Sequence, residues 1–136
     1  MVKKNYKKLH NNNKKIKILK EFLSTIRYGS CGLKAIKYGY LNVKQIEIIR
    51  RVILRVTNRL GKIIIRIFFL QPVTKKPLLS RMGKGSGIIS FWVAFIRKGC
   101  ILLELKNVPF LIAMKALNLA SIRLPIRVNF INRDIA

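Results

Sequence analysis

The side chains that could perform acid–base catalysis are few and scattered along the chain. The sequence contains four acidic residues and one histidine, which are Glu21, Glu47, Glu104, Asp134 and His10. Acid–base catalysis needs such groups close to one another and to a substrate. No two of the acids are close in sequence, and the histidine lies within a basic run. The chain is therefore predicted to have no catalytic residue and not to be an enzyme.

The two cysteines, Cys31 and Cys100, also stand alone. Neither belongs to a CxxC motif, and no histidine lies at metal-ligand spacing from either of them. Protein zinc sites are normally built from such closely spaced pairs. Both cysteines are interpreted as small apolar residues in a reducing compartment. No metal and no cofactor is predicted.

Positive charge is the strongest signal in the sequence. Lys and Arg number 29 against 4 Asp and Glu, a formal net charge of +25, while 51% of the 136 residues are hydrophobic. Disordered basic tails are poor in apolar residues, so here a hydrophobic core and an unbalanced charge share one chain. Such a charge repels itself in a free monomer. The densest polyanion in a cell is nucleic acid, which is therefore the expected partner.

The segment 71–90, QPVTKKPLLSRMGKGSGIIS, combines glycines with cations. Its charged side chains are Lys75, Lys76, Arg81 and Lys84. A connection of this length is usually a functional loop or a misassigned element. Alternating glycines leave backbone amides open to phosphates. The segment contains neither GxxxxGK[ST] nor GxGxxG, so binding of nucleoside triphosphates is not expected. A surface loop without a function is the alternative.

Residues 1–20 are predicted to form a basic arm that has no fold of its own before it binds. They contain lysines but no acid, and three consecutive asparagines interrupt any helical pattern. Tyr6 and His10 are able to stack on bases. A solvated tail is the alternative. We expect residues 21–136 to form a single domain.

The hydrophobic spacing predicts a first helix over residues 42–60. Asn42 and Gln45 occupy the positions of a capping box, and Gly61 is expected to end the helix. The predicted buried stripe consists of Val43, Ile46, Ile49, Ile53, Val56 and Leu60. A second face carries Glu47, Arg51, Arg55 and Arg59 at four-residue steps. The first two are expected to form an ion pair. The arginine face is either solvated or a ridge that contacts phosphates.

A second helix is predicted over residues 109–122, with Pro109 as its first residue. Its inner face is expected to contain Ala113, Met114, Leu117 and Ala120. Strands are predicted at 27–38, 62–70, 91–97, 100–105 and 126–131. In the strand 62–70, Lys62 and Arg66 lie on the face opposite Ile63, Ile65, Ile67 and Phe69.

The turn at Lys98 and Gly99 predicts a hairpin between the strands 91–97 and 100–105. The fold class is therefore α+β, a compact two-layer domain of mostly antiparallel sheet with two helices. No membrane insertion is expected, because the longest uncharged apolar run, 87–96, is far shorter than the ~20 residues of a spanning helix.

Several motifs, taken in their order along the chain, resemble one known family. These are YGSCGLKAI from residue 28, QIEIIRR at 45–51, QPVTKKP, RMGKGSG, FWVAFI followed by a glycine turn, and ALNLASIRLPIRV at 116–128. Together they resemble the large-subunit ribosomal protein sixteen family of bacteria and organelles. The resemblance extends over residues 4–131.

The resemblance implies a structural protein bound to large-subunit ribosomal RNA near the base of the central protuberance, beside the aminoacyl-tRNA site. The implied partners are this rRNA, tRNA in the aminoacyl and peptidyl sites, and neighbouring large-subunit proteins. By motif match, the loop tip that approaches rRNA and tRNA consists of Arg81, Met82, Gly83, Lys84 and Gly85. The residues expected to bind rRNA elsewhere are Lys3, Lys4, Lys7, Lys8, Arg51, Arg55, Arg59, Lys75 and Lys76.

The chain also departs from the pattern of the family. Ser86 stands where the family usually has lysine, which removes one expected phosphate contact. Residues 68–72 read FFLQP where the family usually has Phe-Pro-Asp-Lys-Pro. Phe110 and Leu111 replace a common acidic pair after the helix-starting proline. We expect this last change to mark a protein neighbour peculiar to one kind of ribosome.

The composition favours an organellar origin. The chain is rich in Ile, Lys and Asn, as expected from AT-rich coding, and it begins near the start of the family pattern. A protein encoded in mitochondria is predicted, with a plastid or an AT-rich bacterium as alternatives. The alternative functions are a non-ribosomal RNA chaperone, a cationic protein of membrane surfaces and, least favoured, a hydrolase.

Overall fold

The α+β class is confirmed by a computed structural model that describes residues 24–83, 85 and 87–133. The predicted arm, with Lys3, Lys4, Lys7 and Lys8, lies outside these residues. Within them the chain forms two helices and seven strands, grouped into two antiparallel sheets. In chain order the elements are β1 Cys31–Ala35, β2 Gly39–Asn42, α1 Val43–Val56, β3 Lys62–Ile65, β4 Gln71–Lys75, β5 Ile88–Ile96, β6 Ile101–Lys106, α2 Phe110–Ser121 and β7 Val128–Asn132.

The strands divide between a four-stranded sheet, in the order β3-β6-β1-β7, and a three-stranded sheet, in the order β2-β5-β4. The predicted strand 27–38 therefore contains only β1, and β2 was not predicted as a separate strand. A bend at residues 36–38 takes the chain from one sheet to the other. Short strands on either side of such a bend carry too few residues to show two separate alternating patterns.

The predicted hairpin between residues 91–97 and 100–105 is wrong. Lys98 and Gly99 do form a tight turn, in which the Cys100 amide donates to the Arg97 carbonyl at 3.2 Å. However, β5 pairs with β2 and β4, whereas β6 pairs with β1 and β3. The turn passes the chain between the sheets, and the Gly99 amide donates to the Ala35 carbonyl at 2.7 Å. A turn motif determines a local reversal but not the partner of each strand.

Helix α1 ends at Val56, four residues earlier than predicted. Asn58 and Arg59 have φ angles of 50° and 63°, in the left-handed region that ends a helix. The Thr57 hydroxyl donates to the Ile53 carbonyl at 3.0 Å. At the start of the helix, Asn42 and Gln45 form the predicted capping box, in which the Asn42 amide donates to the Gln45 side chain at 2.9 Å. Consequently Arg59 is not part of the helix.

The core lies where the two helices pack against each other and against the sheets. Helix α1 buries Ile46, Ile49 and Ile53, whereas Val43 and Leu60 of the predicted stripe are exposed. Helix α2 buries Ala113, Ala116, Leu117 and Ala120. Met114, predicted to face inward, is exposed, and Ala116 lies in the interior instead. Pro109 is the cap of α2 and not its first residue.

The predicted strand 62–70 is also shorter in the structure. β3 ends at Ile65, and Ile65 and Phe68 are exposed. β4 takes residues 71–75 out of the predicted loop, which leaves residues 76–87 between β4 and β5. Pro72 is accommodated because β4 lies at the edge of its sheet.

Replacing Ile53 with alanine should lower the free energy of unfolding by about 2–5 kcal/mol, because this side chain is fully buried in α1. Ile48→Ala is the matched control, since Ile48 lies in the same helix but is 48% exposed. The control should lower it by less than about 0.5 kcal/mol. Urea unfolding followed by circular dichroism measures both values. Equal losses in the two variants would contradict the orientation of α1.

Candidate RNA-binding surface

One acidic side chain, Glu104 in β6, is completely buried. Its carboxylate accepts hydrogen bonds from the amides of Tyr28 and Gly29 at 2.7 and 2.8 Å. The Arg66 guanidinium donates to the same carboxylate at 2.7 Å, and the side chains of this ion pair are 6% and 0% exposed for Arg66 and Glu104. The carboxylate therefore fixes the chain segment that precedes β1 to the four-stranded sheet.

Arg66 also contacts the segment that precedes β1. Its guanidinium also donates to the Thr25 carbonyl at 2.6 Å and lies 5.9 Å from the centre of the Tyr28 ring. Strand alternation placed Arg66 opposite the isoleucine face but gave no sign that it is buried. The only sequence signal for this pair is an acid with apolar neighbours on both sides in the strand ILLELK.

The hydrogen bonds to Glu104 lower its pKa by more than its burial raises it. Burial alone would raise the pKa of this carboxyl. The amides of Tyr28 and Gly29, together with the Arg66 guanidinium, favour the charged form and bring the pKa of Glu104 below its ordinary value of 4.5. Glu104 is therefore ionised at neutral pH.

The acids within the described residues leave most cations without a carboxylate. Glu104 pairs with Arg66, and Glu47 pairs with Arg50 and Arg51 at 3.1 and 3.4 Å. The predicted Glu47–Arg51 pair is thus confirmed, and Arg50 shares the carboxylate. In the exposed pairs, Arg50 and Arg51 hold the pKa of Glu47 below its ordinary value.

The α1 arginines are exposed and point away from the core. Arg51 and Arg55 lie one turn apart on the helix, and Arg55 occupies its last turn, where a cation is favoured by the helix dipole. Arg59 is also exposed but lies in the left-handed connection beyond the helix. The predicted three-arginine ridge is therefore a helical pair followed by a cation on a turn.

The loop 76–87 leaves the three-stranded sheet between adjacent strands β4 and β5. At its base Lys75 lies opposite Ile88. Gly87 has a φ of 75°, and a Cβ there would lie 2.9 Å from the Lys75 carbonyl oxygen, so only glycine fits this close approach. The Lys76 amine donates to the Gly83 carbonyl at 2.8 Å across the loop. The base of the loop is thus held by backbone pairing and by one lysine.

The tip of the loop carries both charge and exposed apolar side chains. Arg81, Met82, Gly83 and Gly85 are exposed, and Lys84 lies outside the described residues. Leu78, Leu79 and Met82 are almost fully exposed. Exposed apolar patches of this kind mark interaction surfaces. Sequence reasoning singled out the cations and glycines but missed Leu78 and Leu79, because a leucine pair in a sequence looks like core.

The apolar pair at the start of α2 is exposed as well. Leu111 points outward, and the Phe110 ring packs edge-on against Phe130 with ring centres 5.8 Å apart. A protein neighbour at this surface stays a prediction. The described residues form no cluster of three or more potential metal ligands, and none of their helices could cross a membrane.

The sequence pattern of the ribosomal protein L16p/L10e family matches residues 1–131. The chain belongs to this family. It is accordingly a protein of the large ribosomal subunit, as the motifs around the loop predicted. The match spans the predicted arm, α1, the loop and the strand that carries Glu104. Membership explains why a small domain combines a complete hydrophobic core with a net charge of +25.

Replacing Glu104 with glutamine should lower the free energy of unfolding at pH 7 by about 3–5 kcal/mol. The change leaves the Arg66 cation buried without its counter-ion. Glu47→Gln removes an exposed carboxylate and is the matched control, which should leave stability nearly unchanged. Urea unfolding of the isolated ribosomal protein measures both, and a neutral Glu104→Gln would contradict the anchoring role.

The pH dependence of stability gives a further readout of the same pair. Because folding lowers the pKa of Glu104, its contribution is complete above the unfolded-state value near 4.5 and is lost as the pH falls through the lower folded-state value. Wild-type protein should therefore lose stability more steeply below about pH 4.5 than Glu104→Gln does. Parallel curves for the two proteins would contradict this assignment.

Proposed function

We propose that this protein binds large-subunit rRNA through its loop, its α1 arginines and its N-terminal arm, and that the loop tip helps to position tRNA. The observation that carries the proposal is the loop 76–87, which exposes cations, glycines and apolar side chains together on a fixed base. The nearly full exposure of Leu78, Leu79 and Met82 favours an interaction surface over a loop that contacts only water.

The chemistry of the loop suits a folded RNA. Arg81 is able to contact a phosphate with two parallel hydrogen bonds, and Lys75 adds a point charge at the base. Gly83 and Gly85 have φ angles of 101° and 83°, and a Cβ at either position would meet no atom within 4 Å. Backbone conformation, and not lack of space, therefore requires glycine at these two positions. Because glycine has no side chain, the backbone amides are accessible to a phosphate.

The remaining predicted contacts support the loop from other parts of the chain. Arg51, Arg55 and Arg59 are exposed, and they would neutralise phosphates without reading sequence. Lys3, Lys4, Lys7 and Lys8 belong to the arm 1–20, which we propose binds rRNA beside the domain 21–136. Glu104 fixes residues 27–29, which follow the arm in the sequence.

The proposed role is structural. The protein would position RNA, and peptide transfer would belong to the rRNA. A non-ribosomal RNA chaperone with the same charge would sediment with many RNAs. A ribosomal protein sediments at one copy per large subunit, so fractionation of native particles distinguishes the two. The abundance of Ile, Lys and Asn supports a mitochondrial ribosome, which the same fractionation tests when it starts from purified organelles.

Arg81→Ala should lower translation by the particle while leaving the free energy of unfolding within about 0.5 kcal/mol of wild type, because the loop lies outside the core. Arg123→Ala is the matched control, since it removes the same charge from an exposed position beyond α2. Large subunits reconstituted with each variant would be tested for tRNA binding and peptide synthesis. Normal tRNA binding by the Arg81→Ala particle, or a large loss of its stability, would contradict the proposal.

Binding to large-subunit rRNA should weaken steeply with salt. The logarithm of the association constant should fall by about 0.7–0.9 per log unit of salt for each phosphate contacted. Arg55→Gln should reduce this slope by about 0.7–0.9, the contribution of one phosphate contact. Lys115→Gln, on α2, should leave the slope unchanged. Filter binding of the purified protein to an rRNA transcript at several salt concentrations measures the slopes. Identical slopes for both variants would remove α1 from the interface.

A further inference from the structure

A partly polar cavity lies at one end of the four-stranded sheet, which is not the sheet that carries the loop between β4 and β5. It has a volume of about 380 Å³ and is lined by Tyr28, Gly29, Ser30, Lys106, Asn107 and Arg133. The cavity forms because β1 runs antiparallel to both β6 and β7. The start of β1 therefore meets the ends of the other two strands. We call it the sheet-end cavity, and its volume falls within the range of about 300–1,000 Å³ that ligand sites occupy.

We propose that the sheet-end cavity binds one nucleotide of the rRNA, with the base against Tyr28 and a phosphate between Lys106 and Arg133. This inference rests on the proposed function, since it takes RNA as the partner. It names a contact that includes none of the residues predicted from the sequence to bind RNA.

The charge of the cavity favours an anion. Lys106 and Arg133 line it, and no acid of the described residues does. Glu104 lies two residues away on β6, but its carboxylate is engaged by Arg66 and by the amides of Tyr28 and Gly29. In addition, Lys62 lies directly opposite Lys106 in the pairing of β3 with β6. Like charges at opposite positions repel each other, and a bound phosphate would relieve that repulsion.

The lining residues with side-chain donors are Lys106, Asn107, Arg133, Tyr28 and Ser30, and the Ser30 hydroxyl already donates to the Leu105 carbonyl at 3.3 Å. The backbone amides of Tyr28 and Gly29 already donate to Glu104, and the Ser30 amide donates to the Leu105 carbonyl at 2.9 Å. The Arg133 amide likewise donates to the Ser30 carbonyl at 2.8 Å. A ligand would therefore be recognised by the Lys106, Asn107 and Arg133 side chains, a donor set suited to phosphate and ribose oxygens.

Tyr28 supplies the surface on which a base would stack. Tyr28 is 55% exposed, although its backbone amide donates to the buried carboxylate of Glu104. The Arg66 guanidinium lies over the ring at 5.9 Å and helps to fix it. A ring positioned before binding loses little conformational freedom when a base stacks on it.

A second cavity, also of about 380 Å³, lacks the side chains that nucleotide recognition uses. That cavity lies beside the end of α2 and is lined mainly by aliphatic side chains, among them Ile36, Ile122 and Leu124. It offers Arg127 as a cation but no aromatic ring. The sheet-end cavity combines two cations with an aromatic ring, the combination that nucleotide recognition uses.

The test maps contacts between the full-length protein and a large-subunit rRNA transcript by hydroxyl-radical footprinting and measures affinity by filter binding. Tyr28→Leu should weaken binding at least about five-fold and expose a short group of protected nucleotides. Tyr28→Phe is the matched control and should keep both. Lys106→Gln should expose the same nucleotides and reduce the salt slope by about 0.7.

The Arg81→Ala variant separates this site from the loop, because it should expose a different group of nucleotides. Lys106 is exposed at the end of β6, so Lys106→Gln tests the site even if Tyr28→Leu impairs folding. Unchanged footprints and affinities for Lys106→Gln, with intact wild-type binding, would overturn the inference but not the proposed function. A wild-type protein that binds no rRNA would overturn both. Loss of a crosslink to a neighbouring protein in native subunits, without any change in the footprint, would instead assign the cavity to that protein.

Discussion

The buried carboxylate of Glu104 is the interaction on which the arrangement of the binding surfaces depends. In a chain with 29 basic and 4 acidic residues, Glu104 is enclosed on β6, an inner strand of the four-stranded sheet. There it neutralises Arg66 and fixes the backbone of Tyr28 and Gly29. A buried ion pair contributes little net stability over an apolar pair, but it dictates geometry because neither partner can be left alone. This pair holds the segment that precedes β1 on the four-stranded sheet.

Among the described residues, the exposed cations of the loop and of the sheet-end cavity differ from Arg66 because no buried carboxylate neutralises them. Glu47 is shared by two exposed arginines, whereas Lys76, Arg81, Lys106 and Arg133 have no carboxylate partner among the described acids. The hydrophobic core therefore maintains the shape of a surface that repels itself until an anion covers it. Folding supplies fixed positions for the cations, and in the proposed function RNA supplies the counter-charge. The loop and the sheet-end cavity are two places where glycine or an aromatic ring accompanies that charge.

Local patterns predicted most elements correctly. The spacing of Ile46, Ile49 and Ile53 located the buried face of α1, and Pro109 located the start of α2 within one residue. The predictions that failed were those of an element's end or of a strand's partner, which a local sequence signal does not determine. The end of α1 was set by the left-handed Asn58 and Arg59, not by Gly61. The turn at Lys98 was recognised, but it joins two sheets because β5 and β6 find their partners elsewhere in the chain.

What the sequence alone determined is the family, the fold class and the chemistry of the partner, since composition and short motifs carry that information directly. What only the tertiary structure decided is which side chains meet. Glu104 and Arg66 are separated by 38 residues, and Tyr28 and Lys106 by more. No periodicity links residues so far apart, because antiparallel pairing of β1 with β6 and β7 is fixed by the whole core. The anchor and the sheet-end cavity exist only once those strands have paired.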